Sequence, residues 1–290
     1  MWPGLFAHFG RMYNNIPEQW VDCFDRETSQ KNFEELVMAT GFGLAPEKPE
    51  GSGITYDSET QGYIARFTHV VYGIGFICTR EEIEDNLYYP NGKRRAESTA
   101  FSMKQTKENV HANIFNRGFT AGYTGGDGVV LFSASHPTSS GLQSNILATS
   151  ADISETAIED GVVSIQTATN DRGLKAGLQA RTLHVPSTLG FEAHRILKAV
   201  LQNDTALNAP NVLKMLGSIP GGIKVNQYFT DVDAWFIRTN APYGMISFQK
   251  RPYEFVQDND FDTENAKAKA TERYSCGWAD WRGYWGSAGT

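Results

Sequence analysis

Between Phe42 and Cys78 the chain reads FGLAPEKPEGSGITYDSETQGYIARFTHVVYGIGFIC, and no other stretch restricts the fold so strongly. Its first half carries Pro46, Pro49, Gly51 and Gly53 among the carboxylates Glu47, Glu50, Asp57 and Glu59, with Lys48 as its lysine. Those residues offer almost no apolar surface to a core. Short strand-like runs flank them, so the whole reads as a long hairpin arm. A two-stranded ribbon without a hydrophobic face is marginal in water. Such an arm takes its order from a surface it lies on, and a neighbouring copy of the same chain is the expected surface.

The rest of the chain is ordinary globular material. With 290 residues, 40% hydrophobic and 20% charged, it can bury a core in one or two domains. A net charge of −7 argues against general binding to a phosphate backbone. Cys23, Cys78 and Cys276 are scattered and form no CxxC pair, so reduced thiols and a cytosolic setting are expected. The apolar run Val70–Cys78 is too short to span a bilayer, and the start MWPGLFAHFGRMYNN has no basic region ahead of an apolar one. Neither a membrane partner nor a signal peptide is expected.

Periodicity supplies a coarse map. Aromatics crowd residues 1–40, and Phe33, Leu36 and Val37 at 3–4 spacing after Ser29 predict a short helix. Large apolar side chains on a terminal segment are tied down, equally well on their own domain or on a neighbour. Thr79-Arg-Glu-Glu82 fits a capping box. The sequence YYPNG (88–92) then predicts a break, followed by a long helix over 93–116 with Ala96, Ala100, Met103, Val110 and Ile114 on one stripe, which Lys107 interrupts. Gly118 stands where a left-handed cap would end it. A strand is predicted at Val129–Phe132, a helix capped by Asp152, a strand at 183–186, a helix over 188–202, and strands after Pro220. Helices and strands mix without βαβ alternation, which gives an α+β class.

No catalytic, cofactor-binding or metal constellation emerges, and the chain is not expected to be an enzyme. Ser247-Phe-Gln-Lys250 matches an SxxK pattern, but that chemistry needs both residues on one helical face and this segment reads as a strand. Asp258, Asp260, Asp262 and Glu264 alternate, yet Thr263 and Lys269 occupy the positions where a calcium hand needs Gly and Glu. Alternation would instead place the four carboxylates on one face of an extended segment, solvated or facing a partner. The six histidines are isolated in sequence.

Four motifs taken together, GIGFICTREEIEDN (73–86), LFSASHP (131–137) with Asn145, LHVPSTLGFEAHRIL (183–197) and AKATERYSCGWADWRGYW (268–285), resemble the major capsid proteins of tailed bacteriophages with the Hong Kong-type (Johnson) fold. Among these the order of elements is most similar to the Mu-like head subunits.

The resemblance implies an N-arm at 1–38, an extended loop at 39–76 and a peripheral domain with a spine helix at 77–128. An axial domain at 129–255 and C-terminal strands at 256–290 returning to the peripheral domain complete it. It implies self-assembly into hexamers and pentamers of an icosahedral shell around double-stranded DNA, within a virion built in the bacterial cytoplasm. No scaffolding region precedes the arm, which implies a separate scaffolding protein beside a portal and a decoration protein. Inter-subunit contacts are expected from Glu47, Lys48, Glu50, Asp57 and Glu59 on the arm. Others are expected where Lys93, Arg94 and Arg95 meet the edge Asp258, Asp260, Asp262 and Glu264 of an adjacent subunit. An encapsulin-type compartment shell is the alternative within the fold, and a serine hydrolase using Ser247 and Lys250 is the remote one.

Overall fold

In the computed structural model, which describes residues 2–85, 88–202, 209–260, 262 and 264–290, the chain opens with helix α1 (Trp2–Asn15). Strands β1 (Asp25–Thr28), β2 (Phe33–Ala39), β3 (Gln61–Thr68) and β4 (Val70–Cys78) lead to the short helix α2 (Arg80–Glu84) and the long α3 (Tyr88–Asn116). A small hairpin, β5 (His136–Thr138) with β6 (Gly141–Gln143), precedes α4 (Glu155–Thr167), β7 (Ala180–Pro186), α5 (Gly190–Lys198) and α6 (Val212–Leu216). Strands β8 (Ile223–Asn226), β9 (Trp235–Thr239), β10 (Met245–Asn259), β11 (Ala266–Trp278) and β12 (Tyr284–Ser287) close the chain.

Two four-stranded sheets carry the architecture, in the orders β1-β10-β11-β4 and β12-β9-β7-β8. The first is built on the antiparallel hairpin β10–β11, paired from Met245↔Trp278 to Asn259↔Ala266. Its register shifts between Gln249 and Glu254, around Pro252, which has no N–H for the ladder. Along β11 the alternation is clean: Ala266, Ala268, Ala270, Glu272 and Tyr274 are buried, while Lys267 and Lys269 point to solvent.

Helix α1 packs on α3 and on this sheet. Leu5, Phe9 and Tyr13, one per turn, meet Ala96, Ala100 and Met103 of α3 and Phe255, Ala268 and Ala270 of the sheet. Alanines on both partners let the backbones approach and leave the gap to aromatic rings, with Phe9 stacked 4.7 Å from Phe255. The N-terminal segment is thus held by its own chain. The second sheet is covered by α4 and α5 over a core of Ile158, Val162, Ile165, Leu183, Val185, Ile196, Trp235 and Trp285. An aromatic cluster of Trp20, Phe24, Phe115, Phe132, Phe236 and Tyr284 binds the two halves together.

Several local expectations change, each for an identifiable reason. Residues 33–39 form strand β2, not a helix, because pairing with β3 from Phe33↔Thr68 to Ala39↔Gln61 overrides the short apolar spacing. Strand β4, read above as part of the arm, belongs to the first sheet and pairs with β11. Helix α3 starts at Tyr88 and not Lys93, since Pro90 falls in the first turn, where a missing N–H costs nothing. Gly118 does not adopt a left-handed conformation; a Cβ there would lie 2.6 Å from the Phe132 ring. No strand forms at 129–132; only an isolated bridge joins Thr124 to Val130. Helix α4 is capped by Ser154, whose side chain accepts from Ala157 N, while the Asp152 carboxylate accepts from Thr290. Helix α5 stops at Lys198 because the chain then turns to bridge Leu201 with Pro210. The Thr79 capping box is present, with reciprocal Thr79–Glu82 bonds of 3.3 Å.

Candidate assembly surface

The arm is a hairpin with a long irregular tip. Strands β2 and β3 direct Leu36, Met38, Ala65 and Phe67 onto Ile246, Phe248 and Ala279 of the protomer. Beyond them residues 40–60 form a loop without regular strands, tied at its neck by Thr40 N to Thr60 O (3.1 Å) and by contact between the two threonine hydroxyls (2.9 Å). Within it the Asp57 carboxylate accepts from Gly43 N and Ser58 N, both at 2.8 Å, and these bonds hold it below the usual carboxylate range.

What the sequence reading passed over is the apolar content of this tip. Phe42, Leu44, Ile54 and Tyr56 project outward, Leu44 81% and Tyr56 92% exposed. They rim a concavity of about 650 Å³ shared with Pro46, Glu47 and Lys48. No part of this chain covers them among the described residues. Further apolar side chains stand open: Val70 and Ile74 on one face of β4 and Val71 and Ile77 on the other, and Phe191, Val200, Met215 and Leu216 on and beside α5 and α6, Phe191 being 82% exposed. Exposed apolar area on this scale marks interaction surface.

The charged residues expected at contacts are distributed differently from the expectation. Glu47, Lys48, Glu50 and Glu59 lie exposed on the arm tip. The carboxylates at 258–264 do not line one face of an extended segment. Asp258 lies within β10, one residue before its end, and Asp260, Asp262 and Glu264 lie in the turn into β11, with Asp262 N donating to Asp260 and Glu264 at φ +54°. Asp260 is bound by Lys267, and Glu264 by Arg80. Arg95 is likewise engaged at home, in a two-pronged pair with Glu82 at 2.8 Å and a bond to Ile77 O. Lys93 is half-buried and Arg94 exposed on the first turns of α3.

Behind this surface lies a polar cluster that sequence reasoning registered only as an interruption. Lys107, on the apolar stripe of α3, reaches Glu272 of β11 at 2.5 Å, and Glu272 also accepts from Gln249 Nε2 and Tyr13 OH. One turn away Lys104 pairs with Glu18. Glu108 caps the 3-10 turn Trp20–Asp22 by accepting from Gln19 N (2.7 Å) and Trp20 N (3.0 Å). Burial pushes the Glu108 carboxyl from 4.5 up to about 7, against those two N–H bonds.

Between pH 4.5 and 7 the folded chain keeps a proton on Glu108 that the unfolded chain releases. Its stabilising contribution is complete below pH 4.5 and disappears as pH rises through about 7. Urea unfolding of the dispersed protomer at pH 5 and pH 8 should show a decline of about 1–3 kcal/mol that Glu108→Gln removes. An equal decline in that variant would assign the slope to other groups.

Ser247 and Lys250 do not form a catalytic pair. Ser247 points inward from β10 and bonds His111 Nε2 at 2.8 Å, whereas Lys250 turns outward to Gln30 O and Lys31 O. An odd spacing on a strand separates the two faces. Burial lowers the His111 pKa to about 3, so the ring is neutral and structural at working pH.

The family profile of phage capsid proteins matches residues 64–286, which hold the long helix, the second sheet and the first sheet apart from β1. The chain belongs to the phage capsid protein family. It is a structural subunit of a capsid shell with the Hong Kong-type fold. This capsid protein is similar to the virus-like particle from Pyrococcus furiosus, with a TM-score of 0.58 and 10% identity over 97% of this chain and 96% of that one. It is similar also to the capsid of Myoviridae phage XM1, at 0.54 and 10% over 95% and 93%. Microbacterium phage Oxtober96 gives 0.54 and 10% over 94% and 90%. At such identity these likenesses carry the fold alone. No curated protein matches the capsid protein by sequence.

Proposed function

We propose that this capsid protein is the major head subunit of a tailed phage, closing into an icosahedral shell of hexamers and pentamers around double-stranded DNA. The observation that carries the proposal is the arm, whose outward apolar side chains the protomer itself leaves uncovered. A neighbouring copy supplies the missing surface, and repetition around a closed shell supplies it to every subunit. In this reading 1–38 is the N-arm and 39–76 the extended loop, except that β2 goes with the loop because it pairs with β3, and β4 goes with the sheet because it pairs with β11. The peripheral domain takes 77–128 and, because β10 and β11 pair in the first sheet, 245–278 in place of 256–290. The axial domain takes 129–244 together with β12, which pairs with β9, and its exposed Phe191, Met215 and Leu216 meet at the capsomer centre. A net charge of −7 suits a container that does not grip its genome. Separate scaffolding, portal and decoration proteins, and assembly in the host cytoplasm, complete the proposal.

An encapsulin-type compartment is the second reading, favoured by the near-complete coverage of the Pyrococcus furiosus particle. One experiment separates the readings. The protein, expressed from its native gene neighbourhood, is imaged by negative-stain microscopy and its particles assayed for nuclease-protected DNA. Closed shells with DNA are expected. Shells filled with a protein cargo would turn the reading to a compartment, and a dispersed monomer at all concentrations would end both.

A further inference from the structure

One side chain from the axial half reaches across to the neck of the arm. Arg172 Nη2 donates to Ser58 O at 2.5 Å, its Nε donates to Gly41 O at 3.3 Å, and the guanidinium lies 3.6 Å from the Asp57 carboxylate. Gly41 and Ser58 stand on the two opposite chains of the neck, just beyond the Thr40–Thr60 pair. A single planar group therefore engages both chains where the tip leaves the hairpin. Arginine suits this task, since its donors diverge in a fixed plane while a lysine ammonium offers one point of charge.

The loop that presents Arg172 is rigid. Thr169 bridges Lys175, Asn170 N donates to Leu174 O at 2.7 Å, and the Asn170 side chain accepts from Arg172 N and Leu174 N. Gly173 takes the positive φ of +80° that closes the turn. The buried Arg282 then ties this loop to the body of the subunit, donating to Asp171 Oδ1 at 2.6 Å and Thr169 O at 3.2 Å. On the arm side Gly41, at φ +68°, has open space about it and no Cβ to restrict rotation. An anchored donor thus faces a neck built to pivot.

We infer that Arg172 is the positioning residue of the arm, fixing the angle at which the tip leaves its own subunit and so the place where it meets the next. The inference rests on the shell reading, because an angle matters only where the tip must reach a neighbour. An exposed ion pair adds little stability, so the effect of Arg172 is geometric and should appear in the spread of arm positions, not in the unfolding midpoint.

The test places spin labels at Thr55→Cys on the tip and Val163→Cys on α4, in a Cys276→Ser background, with Cys23 and Cys78 buried. In dispersed full-length protein the distance distribution should be narrow. Arg172→Ala should widen it at least about twofold, as a loop does when its anchor is released. Lys175→Ala, on the same loop but with its side chain bonded back to Thr167 O, should leave the width unchanged. In parallel, particles of Arg172→Ala without labels should lose uniform diameter under the microscope. An unchanged width, equal widening by Lys175→Ala, or particles as uniform as the native ones would each overturn the inference. If the native chain forms no particles, the shell reading fails on its own account, and the spin-label comparison still decides whether Arg172 holds the arm.

Discussion

Replacing Lys107 by Ala is expected to destabilise the folded subunit by about 3–5 kcal/mol, the cost of leaving a buried charge without its partner. The Lys107 and Glu272 side chains are 5% and 1% exposed and stand at the wall of a concavity of about 570 Å³, so only water drawn into that concavity would replace the lysine. Glu272 would keep Gln249 Nε2 at 2.8 Å and Tyr13 OH at 3.0 Å, two neutral donors facing a full negative charge. The loss would spread, because this carboxylate joins α1 through Tyr13, α3 through Lys107, and β10 through Gln249. Helix α1 should loosen first, and protection of its amides from exchange should fall more than that of β10 and β11. The double variant Lys107→Met with Glu272→Gln removes both charges while keeping an acceptor for Tyr13. It should recover most of the stability, since well-packed neutral replacements of buried pairs are often nearly neutral. Urea midpoints of Lys107→Met, Glu272→Gln and the double variant form the cycle that checks this. A Lys107→Ala cost below about 1 kcal/mol would place the pair in the class of exposed bridges and remove the argument.

The sequence carried a trace of this cluster and hid its meaning. The stripe Ala96, Ala100, Met103 on α3 was legible from spacing alone, and Lys107 stood out as its one interruption. Its partner lies 165 residues away on a strand, and no local pattern reports such a pairing. The same limit explains β2. Phe33, Leu36 and Val37 match a helical spacing, and only β3, across a loop of about twenty residues, makes them a strand. Helix stripes, the Thr79 capping box and the alternation of AKAKATERY were readable because their causes lie within a few residues. Arg172 gave no signal, being one charged residue in a polar turn whose targets, Gly41 and Ser58, are backbone carbonyls. At the acidic segment 258–264 the period was real but the inference from it was not. Alternation places side chains on one face only while the chain stays extended, and the chain turns there.

The arm was legible as an arm but misread in its chemistry. Counting prolines, glycines and carboxylates drew attention from Phe42, Leu44, Ile54 and Tyr56, the side chains with most to lose in water. Replacing residues 46–58 by a short Gly-Ser turn should therefore abolish particle formation altogether while leaving the protomer folded. The second half of that statement follows from exposure. The excised residues contribute no side chain to any of the buried clusters, and shortening a loop lowers its closure entropy. A thermal midpoint within a few degrees of the native one is expected. The first half follows from transfer energetics. Each large apolar side chain covered by a neighbour contributes about 1.5–3 kcal/mol, of which ordering the tip takes back a part. Losing that at every contact in a closed shell leaves no stable intermediate to grow from. A companion variant that keeps the loop length, with Leu44→Ser, Ile54→Ser and Tyr56→Ser, separates apolar contact from backbone reach. It should also fail to assemble, and because Asp57 and Ser58 are retained, the hold of Arg172 on the neck should be preserved. If this triple variant forms native particles while the excision does not, the tip binds its neighbour through its carboxylates and backbone. The charged residues Glu47, Lys48, Glu50 and Glu59 would then be the ones to replace next.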